Sequence, residues 1–355
     1  MDSLTQAALG AAVGGAVLGR RLGRKAVLIG ALLGTLPDLD VVIDYGDAVA
    51  NVTEHRGFSH SLFVLTGLGS LLAILASRFA PARDIPLRRW WLFFVLCLAT
   101  HPLLDALTTY GTQLWWPLDL RPSAWPVLFI IDPLYTLPLL VGIGIALITG
   151  NGRRAPAWGL ALSGAYLIFA FAAKTLVEQR LEPVLAAHGL EEAPRLVQPT
   201  PFNTLLWRIS VIDGDNHYEA LAGVFDGNRP PHLEVYARGA ELESLALESA
   251  RGQRLDWFAG PFLRYEISDI EGRKTLTATD LRLGFPGFHP FTFTLATHED
   301  DTWQPVVSSE SLPAPSRDNR EALSRLGQRL LSPEPPLCTS DFVAEHWVRA
   351  FPEHC

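Results

Sequence analysis

The sequence predicts a membrane α-helical bundle of five to six apolar helices, followed by a C-terminal β-rich domain outside the membrane. Three observations carry this expectation. The chain of 355 residues is 48% hydrophobic with a mean hydropathy of +0.19, above the habit of soluble proteins. That excess is concentrated before residue 175, in six apolar segments at 4–19, 26–44, 61–78, 90–108, 127–149 and 156–174. After residue 195 the pattern turns to short stretches of β-branched, aromatic and alternating polar residues separated by turn signals. Two domains follow from this division, one over residues 1–180 and one over 195–355.

The first segment is rich in alanine and glycine, with Gly10, Gly14, Gly15 and Gly19 at spacings that let helices approach closely in lipid. It opens on Met1-Asp2-Ser3-Leu4-Thr5-Gln6, with no basic residue ahead of the apolar run. Its basic residues, Arg20, Arg21, Arg24 and Lys25, come afterwards. That is the wrong polarity for a cleaved signal peptide, so a retained membrane helix is expected. The second segment is broken at Pro37 and is expected to span only part of a bilayer. Further basic clusters lie at Arg78, Arg83, Arg88 and Arg89, and at Arg153 and Arg154. With six spans, all three clusters share one side, which the positive-inside rule makes cytoplasmic. The N-terminus, the alternate loops and the C-terminal domain then face outward.

In the second domain, strands are expected over Leu205–Ile212, His232–Ala237 and Leu276–Leu283. Turns are expected at Asp213-Gly214-Asp215-Asn216, Asp226-Gly227-Asn228 and Glu271-Gly272. Residues 316–332 read as an amphipathic helix. Cys97 lies in an apolar run and reads as an inert packing residue. Cys338 and Cys355 bracket the tail and are expected to pair, because the outward topology puts them in an oxidising space. Phe342, Trp347, Val348 and Phe351 would form one face of a short helix between them. The formal net charge of -8, with no basic stripe and no glycine-rich phosphate loop, argues against nucleic acid as a partner.

The chemistry is concentrated in ionisable residues at the ends of apolar segments, where such groups are costly and mark functional sites. Asp38 and Asp40 close the second segment, His55 and His60 flank the start of the third, His101 and Asp105 lie in the fourth, and Asp132 opens the fifth. One topology places all of them at a single depth. Carboxylates and imidazoles without thiolate suit a divalent metal. His101 and Asp105 form an i, i+4 pair that can share one ion on one helix face. Six ligand-type residues (Asp38, Asp40, His55, His60, His101 and Asp105) point to one or two ions, with zinc the leading identity. Glu54 is a candidate proton acceptor, Arg56 a candidate clamp on an anionic group, and Asp132 a candidate orienter of a ligand histidine. Ser59 and Tyr110 complete the candidate catalytic set. Each residue also has a plainer reading: Asp38 as a turn residue after proline, Arg56 as an interfacial anchor, and Asp132-Pro133 as a helix N-cap.

The motifs Asp2-Ser3-Leu4-Thr5-Gln6, Pro37-Asp38-Leu39-Asp40, His55-Arg56-Gly57-Phe58-Ser59-His60-Ser61 and His101-Pro102-Leu103-Leu104-Asp105 resemble the bacterial family of predicted membrane-bound metal-dependent hydrolases called YdjM-like. Thr108-Thr109-Tyr110-Gly111-Thr112, Trp116-Pro117, Arg121 and Ile131-Asp132-Pro133 extend the likeness. The resemblance implies a metal-dependent hydrolase of the bacterial inner membrane, distantly similar to zinc-dependent phospholipase C and P1-type nuclease sites. Gln6 stands where many relatives have histidine, and an amide there is expected to hydrogen-bond rather than ligate. The expected activity is hydrolysis of a phosphoester, in a lipid or lipid-linked substrate at the outer face. The alternatives are amide or ester hydrolysis, a metal-stabilised scaffold for an envelope partner, and an ion pathway. The last would need polar groups at several depths, and the inner half of the segments has almost none.

Overall fold

The computed structural model describes residues 1–79, 84–150, 154–313, 319–334, 336–343 and 345–350. Its helices are α1 (Ser3–Leu22), α2 (Arg24–Thr35), α3 (Ala48–Glu54), α4 (Leu62–Phe79), α5 (Leu87–Asp105), α6 (Pro133–Thr149), α7 (Arg154–His188), α8 (Glu243–Leu247), α9 (Ala250–Ala259) and α10 (Asn319–Arg329). The chain divides into two compact units. One comprises Met1–Ile43, His55–Ala172 and Pro201–Asn203; the other comprises Asp44–Glu54, Ala173–Thr200 and the chain from Thr204.

The first unit is helical. Asp2 caps α1 by accepting from the backbone N–H of Leu4 and Thr5. Gly23, at φ +55°, turns the chain back so that α2 lies against α1. The two backbones meet through glycine: a Cβ on Gly10 would come within 2.3 Å of the Gly30 carbonyl oxygen, and one on Gly34 within 2.5 Å of the Gln6 carbonyl oxygen. No side chain fits such a crossing. Pro37 ends α2 and starts a 3-10 turn, Pro37–Val42. The core holds Leu9, Val13, Leu18, Phe93, Leu98 and Leu139.

Among the described residues two helices are long and apolar enough to cross a membrane: α4, with a mean hydropathy of 1.8, and α7, with a mean hydropathy of 1.7 over its most apolar stretch. Helix α6 is apolar but shorter. The expectation of five to six independently apolar helices is therefore corrected. The first segment owes its apolar character to alanine and glycine, which favour close packing over lipid contact, and it ends in Arg20 and Arg21. Helix α2 has 12 residues, about 18 Å of helix, short of a hydrocarbon core of ~30 Å. Helix α5 carries Arg88 and Arg89 at its start and His101 and Asp105 at its end.

The second unit is β-rich, as expected, and more helical than its sequence suggested. One sheet has the order β1-β2-β3-β4-β10, from Arg195–Pro199, Leu206–Asp213, Asn216–Gly223, Glu234–Ala237 and Val348–Ala350. The other runs β5-β6-β7-β8, from Leu263–Ile270, Arg273–Asp280, Thr292–Glu299 and Thr302–Pro305, with β9 (Ser311–Leu312) on β7. All pairings are antiparallel. Two-residue turns set the register: Glu271-Gly272 joins β5 to β6, and Asp300-Asp301 joins β7 to β8, all four at positive φ. Helix α7 outruns its predicted segment because Ala173, Val177, Leu181 and Leu185 form an i, i+4 stripe buried on Trp207, Ile209 and Val211. Helices α8 and α9 were not foreseen.

Inside this unit lies a buried polar knot centred on Glu219. Arg208 grips the buried Glu219 with Nε at 2.9 Å and Nη2 at 2.5 Å, Ser210 Oγ donates to Glu219 at 2.5 Å, and His217 Nε2 lies 2.6 Å from it. Burial opposes ionisation, but Arg208 and His217 win and hold the carboxyl at about 2. Burial holds the His289 imidazole down at about 3, aided by the Arg208 charge.

The tail differs from its expectation. Residues 345–347 form a 3-10 turn, and Val348–Ala350 pairs with β4 as a strand. Phe351 and Cys355 lie outside the described residues, and with them the pairing of Cys355 with Cys338 and the full apolar face. Cys97 is a buried free thiol. Arg83 and Arg153 also lie outside the described residues.

Candidate metal centre

Three polypeptide corners of the helical unit bring the site together. Asp38 comes from the turn after Pro37, His60 from the 3-10 turn Phe58–His60, and His101 and Asp105 from the last turn of α5. One ligand atom from each of these four residues lies within 4.8 Å of all the others, a set that could hold a metal ion. Every separation that involves a histidine nitrogen is short. His60 Nε2 is 3.1 Å from His101 Nε2, 3.5 Å from Asp38 Oδ1 and 3.3 Å from Asp105 Oδ2. His101 Nε2 is 3.2 Å from Asp38 Oδ1 and 3.4 Å from Asp105 Oδ2. A tetrahedron with bonds of about 2.0–2.1 Å has edges of about 3.3 Å.

The surroundings decide which atoms face inward. His101 Nδ1 donates to the Gly34 carbonyl at 2.6 Å, so its Nε2 carries the lone pair. The glycine crossing of α1 and α2 places that carbonyl. Ser59 Oγ donates to Asp40 Oδ2 at 2.6 Å and accepts from His60 Nδ1 at 2.8 Å, which leaves the His60 lone pair on Nε2 as well. With each Nδ1 engaged in this way, the two Nε2 atoms are the ring nitrogens that face Asp38 Oδ1 and Asp105 Oδ2, and in neutral imidazoles they carry the lone pairs. Asp105 Oδ2 is buried with no hydrogen-bond partner. Its other oxygen accepts from Gln6 Nε2 at 2.9 Å and from the Met1 amine. An orphaned buried carboxylate oxygen beside two such nitrogens fits a cation, and the imidazole–carboxylate donor set suits zinc.

The other expected ligands stand beside this group. Asp40 Oδ2 also accepts from the Arg56 backbone N–H at 3.0 Å, and Asp40 Oδ1 lies 3.0 Å from His55 Nδ1. His55 packs edge-on against Tyr110 and His60. Among the described residues one group of four could hold an ion, and Asp40 and His55 lie beside that group rather than in it. Asp40 Oδ2 is taken up by a backbone amide and a hydroxyl, while Oδ1 faces His55 Nδ1 with no hydrogen bond between them.

The remaining candidates separate. Arg56, at φ +61°, is buried with Nε 3.4 Å from Asp105 Oδ2, Nη1 3.5 Å from Thr108 Oγ1 and its guanidinium over the Tyr110 ring. Ser59 sets the tautomer of His60. Glu54 belongs to the second unit, where Arg254 Nη2 grips it at 2.6 Å. Asp132 is an N-cap: it accepts from Leu134 N, Tyr135 N and Tyr166 Oη, and no ligand histidine is among those partners. Pro133 at the first helical position favours that role. Sequence reasoning missed the Met1 amine and the Gly34 carbonyl. No side-chain pattern announces a backbone carbonyl or a chain terminus.

This fold and site define a membrane-type helical unit that carries a potential metal centre, joined to a β domain. Residues 1–177 match the family described as YdjM inner membrane protein, and that part of the chain belongs to it. The chain is 23% identical over 276 residues to "Uncharacterized protein YfhP" of Bacillus subtilis (strain 168), covering 75% of this chain and 80% of that one. It is 40% identical over 88 residues to "Inner membrane protein YbcI" of Escherichia coli (strain K12), covering 24% of this chain and 49% of that one. No solved structure matches. The family places the chain in the inner membrane.

Proposed function

We propose that the protein is a metal-dependent hydrolase of the inner membrane, acting on a phosphoester in a lipid or lipid-linked substrate at the outer face. The observation that carries this reading is the convergence of the two Nε2 lone pairs with Asp38 Oδ1 and the orphaned Asp105 Oδ2. A zinc ion held by Asp38, His60, His101 and Asp105 would supply Lewis acidity, activating water and polarising a phosphoryl oxygen. The chain supplies the rest. Asp38, with a side chain 20% exposed, is the solvent-facing member of the set. His55, held by Asp40 and packed on Tyr110, is placed to accept and return a proton. The Arg56 guanidinium offsets the charge of Asp105.

Two features support an interfacial, lipid-facing site. Leu39, Val41 and Val42 are exposed on the same turn as Asp38. Trp116 and Trp115 are exposed beside Phe58 and Phe63, and Trp125 is exposed as well, an aromatic set of the kind found at headgroup level. The basic residues at the opposite ends of the helices support an outward site and, with it, a periplasmic β domain. Reporter fusions at residue 240 and at residue 86 test this; the same compartment at both would refute it.

A second reading has its own observation. Four protein donors complete a tetrahedron, which is the habit of structural zinc. The test is a purified-protein assay of phosphoester cleavage before and after chelation, with His55→Gln as the separating variant. Loss of cleavage in His55→Gln with metal content retained favours the hydrolase. Metal-dependent thermal stability with no cleavage of phospholipid substrates favours the scaffold.

A further inference from the structure

Helix α1 carries Gln6 at the metal group and Arg20 fourteen residues later, about 21 Å along the helix. Arg20 therefore lies at the far end of the helical unit. Helix α7 agrees: Tyr166 bonds the cap of α6, and Arg154 lies three turns before it. The same end gathers Arg21, Arg24, Lys25, Arg78, Arg88 and Arg89. Some of these charges are already engaged. Arg21 pairs with Asp84, and Arg24 donates to the Leu147 and Ile148 carbonyls, covering the C-terminal end of α6.

Arg20 and Arg154 differ. Among the described residues neither meets a carboxylate, and together they line a cavity of about 400 Å³ with Ala157, Trp158 and Ala161. Arg154 and Trp158 are i, i+4 neighbours on one face of α7. Ala157 and Ala161 leave the wall of the cavity open where larger side chains would fill it. Trp158 is 70% exposed, an indole at the level where a bilayer meets water. Two unpaired guanidiniums at the polar end of an alanine-walled slot are complementary to a phosphodiester with acyl chains attached.

We infer that this cavity binds the headgroup of an anionic phospholipid of the inner leaflet, with Arg20 and Arg154 gripping the phosphate and Trp158 flanking the glycerol. The site is separate from the metal centre and does not depend on hydrolysis. Native mass spectrometry of the full-length protein in mixed micelles of equal phosphatidylglycerol and phosphatidylethanolamine tests it. Two guanidiniums should favour phosphatidylglycerol by about 30-fold, and Arg20→Gln with Arg154→Gln should reduce this below about 3-fold. Arg21→Gln, whose side chain is paired elsewhere, should keep the full preference, and Arg154→Lys should keep most of it. Equal retention of both lipids by the unaltered protein would overturn the inference. So would an equal drop in Arg21→Gln, or displacement of the lipid by soluble glycerol phosphate at matching concentration.

Discussion

Each unit of the molecule buries a knot of ionisable groups, and the two knots are built in opposite ways. In the β-rich unit Glu219 is saturated, with Arg208, His217 and Ser210 all turned toward it. In the helical unit Asp38, His60, His101 and Asp105 turn lone pairs toward one another, and their donors are spent elsewhere, on Gly34 and Ser59. The first arrangement is complete without a ligand, as a structural network is. The second brings acceptors together in the arrangement a bound cation would complete. Both knots are largely buried, but only the first has an arginine turned onto its carboxylate with hydrogen bonds.

The comparison can be broken most severely at the ligands. His101→Ala should lower metal affinity by more than the 10- to 100-fold typical of outer partners, and should abolish any hydrolysis, as read by elemental analysis and by phosphoester cleavage. The corresponding cut in the other knot, Arg208→Met, should leave the buried Glu219 without its arginine, facing only Ser210 and His217. A cost of about 3–5 kcal/mol in the β unit is expected from chemical denaturation, with metal content unchanged. Next comes Asp40→Asn, which weakens the hold of Ser59 on the His60 tautomer. A loss of about 10- to 100-fold in metal affinity, without unfolding, would mark Asp40 as a positioning residue.

Acid provides a softer probe of the same contrast. His289 titrates at about 3 in the folded β unit against 6.5 in an open chain, so it stabilises the fold above 6.5 and loses that contribution as pH falls toward 3. Glu219, lowered from 4.5 to about 2, adds a second decline between those values. Thermal unfolding of the β unit should therefore drop monotonically below pH 6.5, and His289→Phe should flatten the upper part of that fall. The smallest effect belongs to Glu54→Gln. Its partner is a part-exposed Arg254, so a change under about 1 kcal/mol and no loss of metal are expected.

How much of this was legible in the sequence follows from the same logic. His101 and Asp105 were readable because an i, i+4 pair on an apolar helix has one structural meaning and few alternatives. Asp38 and Asp40 were readable as a pair, but the sequence favoured Asp40 over Asp38 as the ligand, and the grouped set holds Asp38. An i, i+2 spacing on a turn does not say which carboxylate faces the cavity; the Arg56 amide and the Ser59 hydroxyl, both donating to Asp40, are not visible in that spacing. Asp132 had both readings open, and Pro133 already favoured the cap. The two-residue turns at Glu271-Gly272 and Gly214-Asp215 announced their hairpins, whereas α8 and α9 carry short patterns that a β-rich context obscured. The helix count was overstated because alanine and glycine look apolar in a hydropathy window while serving helix contact, as Gly10 and Gly34 do.

The most direct test of the central claim is X-ray absorption at the metal edge of the full-length protein, purified without chelators and paired with elemental analysis. One divalent ion per chain is predicted, bound by two imidazole nitrogens and two carboxylate oxygens at about 2.0–2.1 Å, with one imidazole lost in His60→Ala. A protein free of stoichiometric metal, or an ion whose imidazole signal survives in both His60→Ala and His101→Ala, would contradict the account.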